Sequence, residues 1–261
     1  MTSILQHLAH LQGGHLPEFT PGSVWLAGAG PGDPAHLTLG VATALHLADV
    51  IVHDALVDDR VLALAAPGAV LEFAGKRGGK PSAQQADITS RLIELARQGR
   101  RVLRLKGGDP FIFGRGGEEV AALIAAGIPF RVLPGLTSGL AALALSGMPG
   151  TMRGVNQALV LATGHGADGE GAPDWAALAR LDQPILIYMG MKNLPIIAAA
   201  LMEGGMQADK PAAAIAWAGT DKQRRITATL ATLADTAAQA GLEAPAILVI
   251  GDIAATDFRG L

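Results

Sequence analysis

From Val24 onward, short apolar runs alternate with segments of helical period, and the joints between them are rich in Gly, Pro and Asp. The first series of runs is Val24–Ala29, Val50–His53, Val70–Ala74, Val102–Leu105 and Phe130–Leu133. Helical spacing falls between them, near Leu37–Ala48, Asp59–Ala65, Gln84–Gln98 and Glu118–Ala126. Runs this short are strands, and runs apolar at successive positions are strands covered on both faces, so the alternation predicts βαβ units around a largely parallel sheet.

At Pro134-Gly135 the punctuation changes. A helix of small residues, Ser138–Ser146, opens a second series of runs at Ala158–Ala162, Pro184–Met189, Ala212–Trp217, Arg224–Thr229 and Ala246–Ile250. Helices are expected near Trp175–Arg180, Leu194–Met202 and Leu230–Ala240. Polar and apolar residues alternate in Arg224–Thr229, the mark of an antiparallel edge strand. The expectation is two α/β domains with mainly parallel sheets, residues 21–133 and 134–261, with a site in the cleft between them. Residues 1–20 lack sustained periodicity and read as a weakly packed or flexible extension.

Composition narrows the function classes. The chain has 261 residues, 34 of them Gly, and a net charge of −3, which offers no basic excess to neutralise a nucleic-acid backbone. Cysteine is absent, so thiolate chemistry and Cys-ligated metals are excluded. With cysteine absent the cytoplasm is the expected compartment; no apolar run reaches the roughly 20 residues a bilayer requires, and the first residues do not read as a signal peptide. His residues show no H-E-x-x-H, so no metal site is expected.

The first strand ends in Gly28-Ala29-Gly30-Pro31-Gly32-Asp33. A dinucleotide fingerprint needs Gly at position 33, and Asp33 instead brings negative charge where a pyrophosphate would sit. Gly107-Gly108-Asp109-Pro110 repeats the theme after Val102–Leu105, and neither loop is a Walker A sequence. Bare main chain beside a carboxylate suits a cationic nucleoside without phosphate, and S-adenosylmethionine is such a molecule.

Between positions 70 and 115 stand ten Lys and Arg against four acids, about +6 in a protein of −3. Arg97, Arg100 and Arg101 are accounted for by a helix C-terminus. The remainder at strand ends, Lys76, Arg77, Arg104, Lys106 and Arg115, suggests a ligand with several carboxylates. Asp54 ends the second strand, where it is either a helix cap or a functional group. Thr137 and Ser138 are cap candidates first and ligand contacts second, and an isolated Met189 reads as core packing. The segment Gly135–Gly139 is one place out of phase with a nucleophile elbow.

Several motifs together carry a resemblance: G-A-G-P-G-D at 28–33, V-H-D at 52–54, G-K-R at 75–77, L-K-G-G-D-P-F-I-F-G-R-G-G-E-E at 105–119, T-G-H at 163–165 and Y-M-G at 188–190. From about Val24 to Ile253 the chain resembles the S-adenosylmethionine-dependent tetrapyrrole methyltransferases, in particular those that methylate uroporphyrinogen III at C2 and C7 to give precorrin-2 through precorrin-1. The resemblance implies a homodimer and a donor touching Pro31, Gly107, Gly108, Asp109, Ile112, Thr137, Ser138, Met189 and Ala218. It also implies Asp54 as base and Lys76 as acid, with Arg104, Arg115 and Arg153 as partners for substrate carboxylates. The alternative readings are a later corrin-ring methyltransferase and a non-catalytic tetrapyrrole carrier or sensor of the same fold. Pro81, Met152 and Ala218 depart from the usual pattern of these proteins.

Overall fold

The structure is a computed structural model that describes residues 4–15, 18–74, 85–166 and 171–258. The chain divides into two compact units, residues 1–137 and 138–261.

In the first unit, helix α1 (Ile4–Leu11) is followed by β1 (Val24–Gly28), α2 (Leu39–Leu47), β2 (Val50–His53), α3 (Asp59–Leu62) and β3 (Val70–Phe73). Then come α4 (Gln85–Arg97), β4 (Val102–Lys106), α5 (Gly116–Ala125) and β5 (Phe130–Leu133). The strands form one sheet in the order β3-β2-β4-β1-β5, every pairing parallel. Both faces are covered, which is why the central strands are apolar at successive positions. Trp25, Ala27, Ile51, Leu103 and Leu105 pack on Val41, Leu45 and Val61 of α2 and α3. Val24, Leu26, Val52 and Val102 pack on Leu92, Leu95 and Leu123 of α4 and α5.

The strand order sets where a ligand can sit. The chain leaves β1 towards β2 and β3, whereas it leaves β4 past β1 to β5. Connections that part in opposite directions from neighbouring strands open a crevice at their carboxyl ends. The turns after β1 and β4, which hold the two glycine loops, flank that switch point.

The second unit comprises α6 (Ser138–Leu145), β6 (Val160–Thr163), α7 (Trp175–Arg180), β7 (Ile185–Tyr188), α8 (Leu194–Glu203), β8 (Pro211–Ala216), β9 (Arg224–Thr229), α9 (Leu233–Gln239) and β10 (Ala246–Ile250). The sheet order is β6-β7-β10-β8-β9. Only β6 with β7 is parallel; β10 runs against both of its neighbours and β9 against β8. The expectation of mainly parallel pairing therefore holds for the first sheet and not for the second. Arg224–Thr229 is the antiparallel edge strand that its alternation predicts, entered by a short turn in which Thr220 N donates to Trp217 O at 3.1 Å. One face of this sheet, with Ile185, Ile187, Ala212, Ala214 and Leu248, packs on Trp175, Leu194, Ile197, Leu201 and Leu233.

Helix α1 lies in the stretch that lacks sustained periodicity; Leu8 is buried, and Gln12 Nε2 donates to Thr43 Oγ1 of α2 at 2.6 Å.

Three turns of the first unit meet main chain to main chain. A Cβ on Gly135 would stand 2.6 Å from both Cα and O of Gly28 and would also strike the carbonyl of Gly108. Gly135→Ala is therefore expected to destabilise the first unit by roughly 1–3 kcal/mol through overpacking. Gly117→Ala, whose Cβ meets nothing within 4 Å, is the control and should leave the denaturant midpoint near wild type.

Candidate functional site

The turn after β1 is tied directly to the turn after β4. Gly30 N donates to Gly108 O at 3.1 Å and Gly108 N to Gly30 O at 2.8 Å, a two-residue bridge beyond the strand ends. Both glycines have positive φ, 69° and 68°, a backbone conformation costly for side-chain-bearing residues. Pro31 is half-buried beside them. Asp33 caps a short 3-10 helix, Pro34–His36, its Oδ1 accepting from Ala35 N at 2.8 Å.

In the turn after β4, Gly107 has room for no side chain: a Cβ would stand 2.8 Å from that of Leu56. Asp109 spends both oxygens on main chain. Oδ1 accepts from Phe111 N at 2.8 Å and Oδ2 from Gly135 N at 3.0 Å, so one carboxylate clamps the 107–111 turn to the 134–135 turn. Beyond it, Phe113 and Arg115 hold positive φ of 53° and 58°, and Ile112 between Phe111 and Phe113 is half-buried. Arg115 is exposed and pairs with Glu118 at 2.6 Å, holding that carboxyl below the usual range.

Asp54 follows β2, the strand beside β4. Helix α3 is capped by Asp58, so Asp54 is not its cap; Asp54 Oδ1 accepts from Leu56 N at 3.2 Å and Oδ2 lies 3.8 Å from Arg104 Nη2. Alternation along β4 puts Arg104 and Lys106 on the same face as Val102, towards α4 and α5. There Glu119 of α5, fully buried, accepts on Oε1 from Arg104 Nε at 3.1 Å, Lys106 Nζ at 3.2 Å and Gln85 Nε2 at 2.7 Å. Its Oε2, also buried, has no hydrogen-bond partner among the described residues. Arg104 Nη1 donates to the carbonyls of Val52 and Leu105 at 3.2 and 3.3 Å. Burial, and then the charge of Arg104, pulls the Lys106 ammonium below the ordinary lysine range, against the attraction of Glu119 and Asp54.

This corrects one expectation. Arg104 and Lys106 do not present free charge to an anionic ligand, because both are buried and face an internal carboxylate. Arg101, attributed above to a helix C-terminus, lies beyond α4 and pairs with Asp49 at 2.6 Å, which lowers the aspartate's pKa and ties the starts of β2 and β4 together. Lys76, Arg77 and Pro81 fall outside the described residues.

In the second unit, β6, β7 and β8 point the same way, so the turns after them share one edge of the sheet. The start of α6 lies there too. Gly139 N donates to the hydroxyl of buried Tyr188 at 3.0 Å, and a Cβ at 139 would collide with that hydroxyl. Thr137 is buried at the end of the first unit, and Ser138, the first residue of α6, is half-buried. Met189 is not core: it is 53% exposed with φ 54°. Trp217 likewise has φ 51° and is 39% exposed, with Lys222 Nζ 5.5 Å from its ring centre, and Ala218 beside it is half-buried. For a bulky side chain such a backbone conformation is a genuine outlier, and outliers of this kind cluster at ligand sites. Arg153 is exposed in the 151–155 turn.

Glu119, Gln85 and Trp217 were not singled out from the sequence. Glu119 carried a readable signal: it occupies the inward stripe of α5 with Gly116 and Leu123. Among the described residues no group of His, Asp and Glu could hold a metal ion, and no helix is long and apolar enough to cross a membrane.

Residues 23–234 match the model of the tetrapyrrole (corrin/porphyrin) methylases. A uroporphyrinogen-III C-methyltransferase of Sinorhizobium sp is 54% identical over 252 residues, covering 94% of this chain and 90% of the relative. The siroheme synthase of Methylococcus capsulatus is 47% identical over 89% of this chain, which spans only 49% of that longer protein. Among solved structures, the uroporphyrin-III C-methyl transferase of Thermus thermophilus, crystallised with S-adenyl homocysteine, matches with TM-score 0.75 at 39% identity, over 88% of this chain and 98% of the other. A cobalt precorrin-4 methyltransferase shares the fold, with TM-score 0.79 at 24% identity. This chain belongs to the tetrapyrrole methylases.

Proposed function

We propose that this chain transfers methyl groups from S-adenosylmethionine to C2 and C7 of uroporphyrinogen III, giving precorrin-2 by way of precorrin-1. The observation that carries the reading is the bridged pair of glycine turns at the switch point of the first sheet, with Asp54 at the end of the adjoining strand. The relatives named for this reaction support it.

The residues present suit such a donor. Bare main chain at Gly107 and Gly108, half-buried Pro31 and Ile112, and the clamped carboxylate of Asp109 offer close approach and negative charge without a phosphate-binding cation. Thr137 closes this set in the first unit, and Ser138, Met189 and Ala218 are the proposed contacts of the second. The donor, when bound, supplies a methyl group made electrophilic by a positive sulfur. A pyrrole carbon of the substrate forms the new carbon–carbon bond while the sulfur–methyl bond breaks, its electron pair staying on sulfur. The substrate ring, left cationic, then loses a proton, and Asp54 is the base that accepts it. The pyrrole carbon is already nucleophilic, so alignment and exclusion of water are the protein's main contributions.

Arg115 and Arg153, both exposed, are the proposed partners of substrate carboxylates. Arg104 is reassigned: its guanidinium lies beside Asp54 and inside the protein, where it holds the base rather than the substrate. Lys76 is retained as the proposed acid. The reading takes the enzyme as a cytoplasmic homodimer, which sedimentation velocity tests as to assembly.

Incubation with S-adenosylmethionine and uroporphyrinogen III should give a product heavier by two CH2 units. Turnover only of an already methylated corrin precursor would favour a later ring methyltransferase, and binding without any transfer a carrier. Asp54→Asn should lower turnover by roughly 10²–10⁴-fold, with calorimetric affinity for S-adenosylhomocysteine retained; unchanged turnover in the folded variant removes Asp54 as base. Asp109→Ala breaks two hydrogen bonds to a charged acceptor, each worth about 1.5–3 kcal/mol. Even partial loss through loosening of the turn should weaken S-adenosylhomocysteine binding about ten-fold or more, and an unaltered dissociation constant contradicts the assignment. Arg115→Ala should raise KM for uroporphyrinogen III by about an order of magnitude with KM for the donor little changed.

A further inference from the structure

The buried group around Glu119 is larger than a proton-accepting aspartate needs. Arg104 and Lys106, with side chains 3% and 6% exposed, bring two positive charges into the interior, and Glu119, at 0%, brings one negative charge. The second negative charge that balances them is Asp54, whose side chain is 28% exposed and therefore reaches towards solvent from an otherwise enclosed group. Cations taken out of water persist only when paired and hydrogen-bonded, so the arrangement has to be explained. Packing alone would be served better by apolar residues like the Leu92, Leu95 and Leu123 that fill the rest of this face.

The geometry is that of a relay. The guanidinium of Arg104 is held at one end by Glu119 through Nε, and in the middle by the carbonyls of Val52 and Leu105 through Nη1. Its remaining nitrogen, Nη2, is thereby aimed at Asp54 Oδ2 at 3.8 Å. A planar fork fixed at two of its nitrogens has its third direction fixed as well. Glu119 in turn is held by Lys106 and by Gln85 of α4. One oxygen thus takes three donors, two from β4 and one from α4, while the other takes none among the described residues.

We propose that Glu119 is a positioning residue for the methyl-transfer reaction, acting on Asp54 through Arg104, with Lys106 as its counter-charge. The inference rests on the reading of Asp54 as the base. In this role Glu119 touches neither donor nor substrate. It keeps the guanidinium from swinging fully onto Asp54, which would close the ion pair and withdraw the carboxylate from the proton it is to accept.

The test is a double-mutant cycle between Glu119→Gln and Asp54→Asn. Glu119→Gln is made both alone and together with Lys106→Met, which removes one charge of each sign and so keeps the buried group balanced if the single variant does not fold. In the Asp54-containing background, kcat should fall by roughly 10- to 100-fold, with KM for uroporphyrinogen III and the dissociation constant of S-adenosylhomocysteine within about two-fold of wild type, because binding is untouched. In the Asp54→Asn background the same change should cost almost nothing further, because the residue through which Glu119 acts is gone. Losses that multiply in full across the two backgrounds, or a wild-type kcat in folded Glu119→Gln/Lys106→Met, overturn the proposal while leaving Asp54 as base. An Asp54→Asn variant with undiminished kcat overturns the base reading instead, and this proposal with it.

Discussion

Main chain packed against main chain at the carboxyl edge of the first sheet is the constraint on which the candidate site rests. Gly28, Gly108 and Gly135 approach so closely that no side chain fits between them, and the carboxylate of Asp109 locks the arrangement by accepting from two amides on different turns. A parallel sheet delivers every strand end to one edge, and its switch point parts the loops there. Glycine at the points of contact then exposes polar backbone without side chains in the way. The negative charge of Asp109 serves to hold that shape.

Next to this cradle the β4 strand changes character. Val102 belongs to the apolar core, while Arg104 and Lys106, two and four positions on and on the same face, are buried with Glu119. The core thus ends in a charged group as the strand reaches the functional edge. Such a group is costly to assemble, and its hydrogen bonds fix side chains in one arrangement, which suits a site whose main task is alignment.

Much of the fold is legible in the sequence because covered strands leave short apolar runs and an edge strand leaves an alternation. Val50–His53, Phe130–Leu133, Arg224–Thr229 and Ala246–Ile250 are strands over the residues that the apolar runs mark out, and Trp175–Arg180 is a helix over its marked span. Strand direction is another matter: Ala246–Ile250 is apolar throughout, as a parallel strand would be, yet runs antiparallel to both neighbours. Covering both faces produces the same composition whichever way the strand runs. Helix α1 escaped: among its described side chains only Leu8 is buried.

The glycine turns, Asp54 and the exposed Arg115 can be found from strand-end position and residue type. The partners of most of the neighbouring cations cannot, since counting cations between 70 and 115 does not reveal that Glu72, Asp49 and Glu119 each answer one or more of them. Those pairings join residues 13 to 52 positions apart, and only the packing of strands and helices brings them together.

The most direct test of the central claim is hydrogen–deuterium exchange of the wild-type protein with and without saturating S-adenosylhomocysteine. The cradle predicts slowed amide exchange in peptides covering 28–32 and 107–112. Saturable binding that leaves 107–112 unprotected would contradict it.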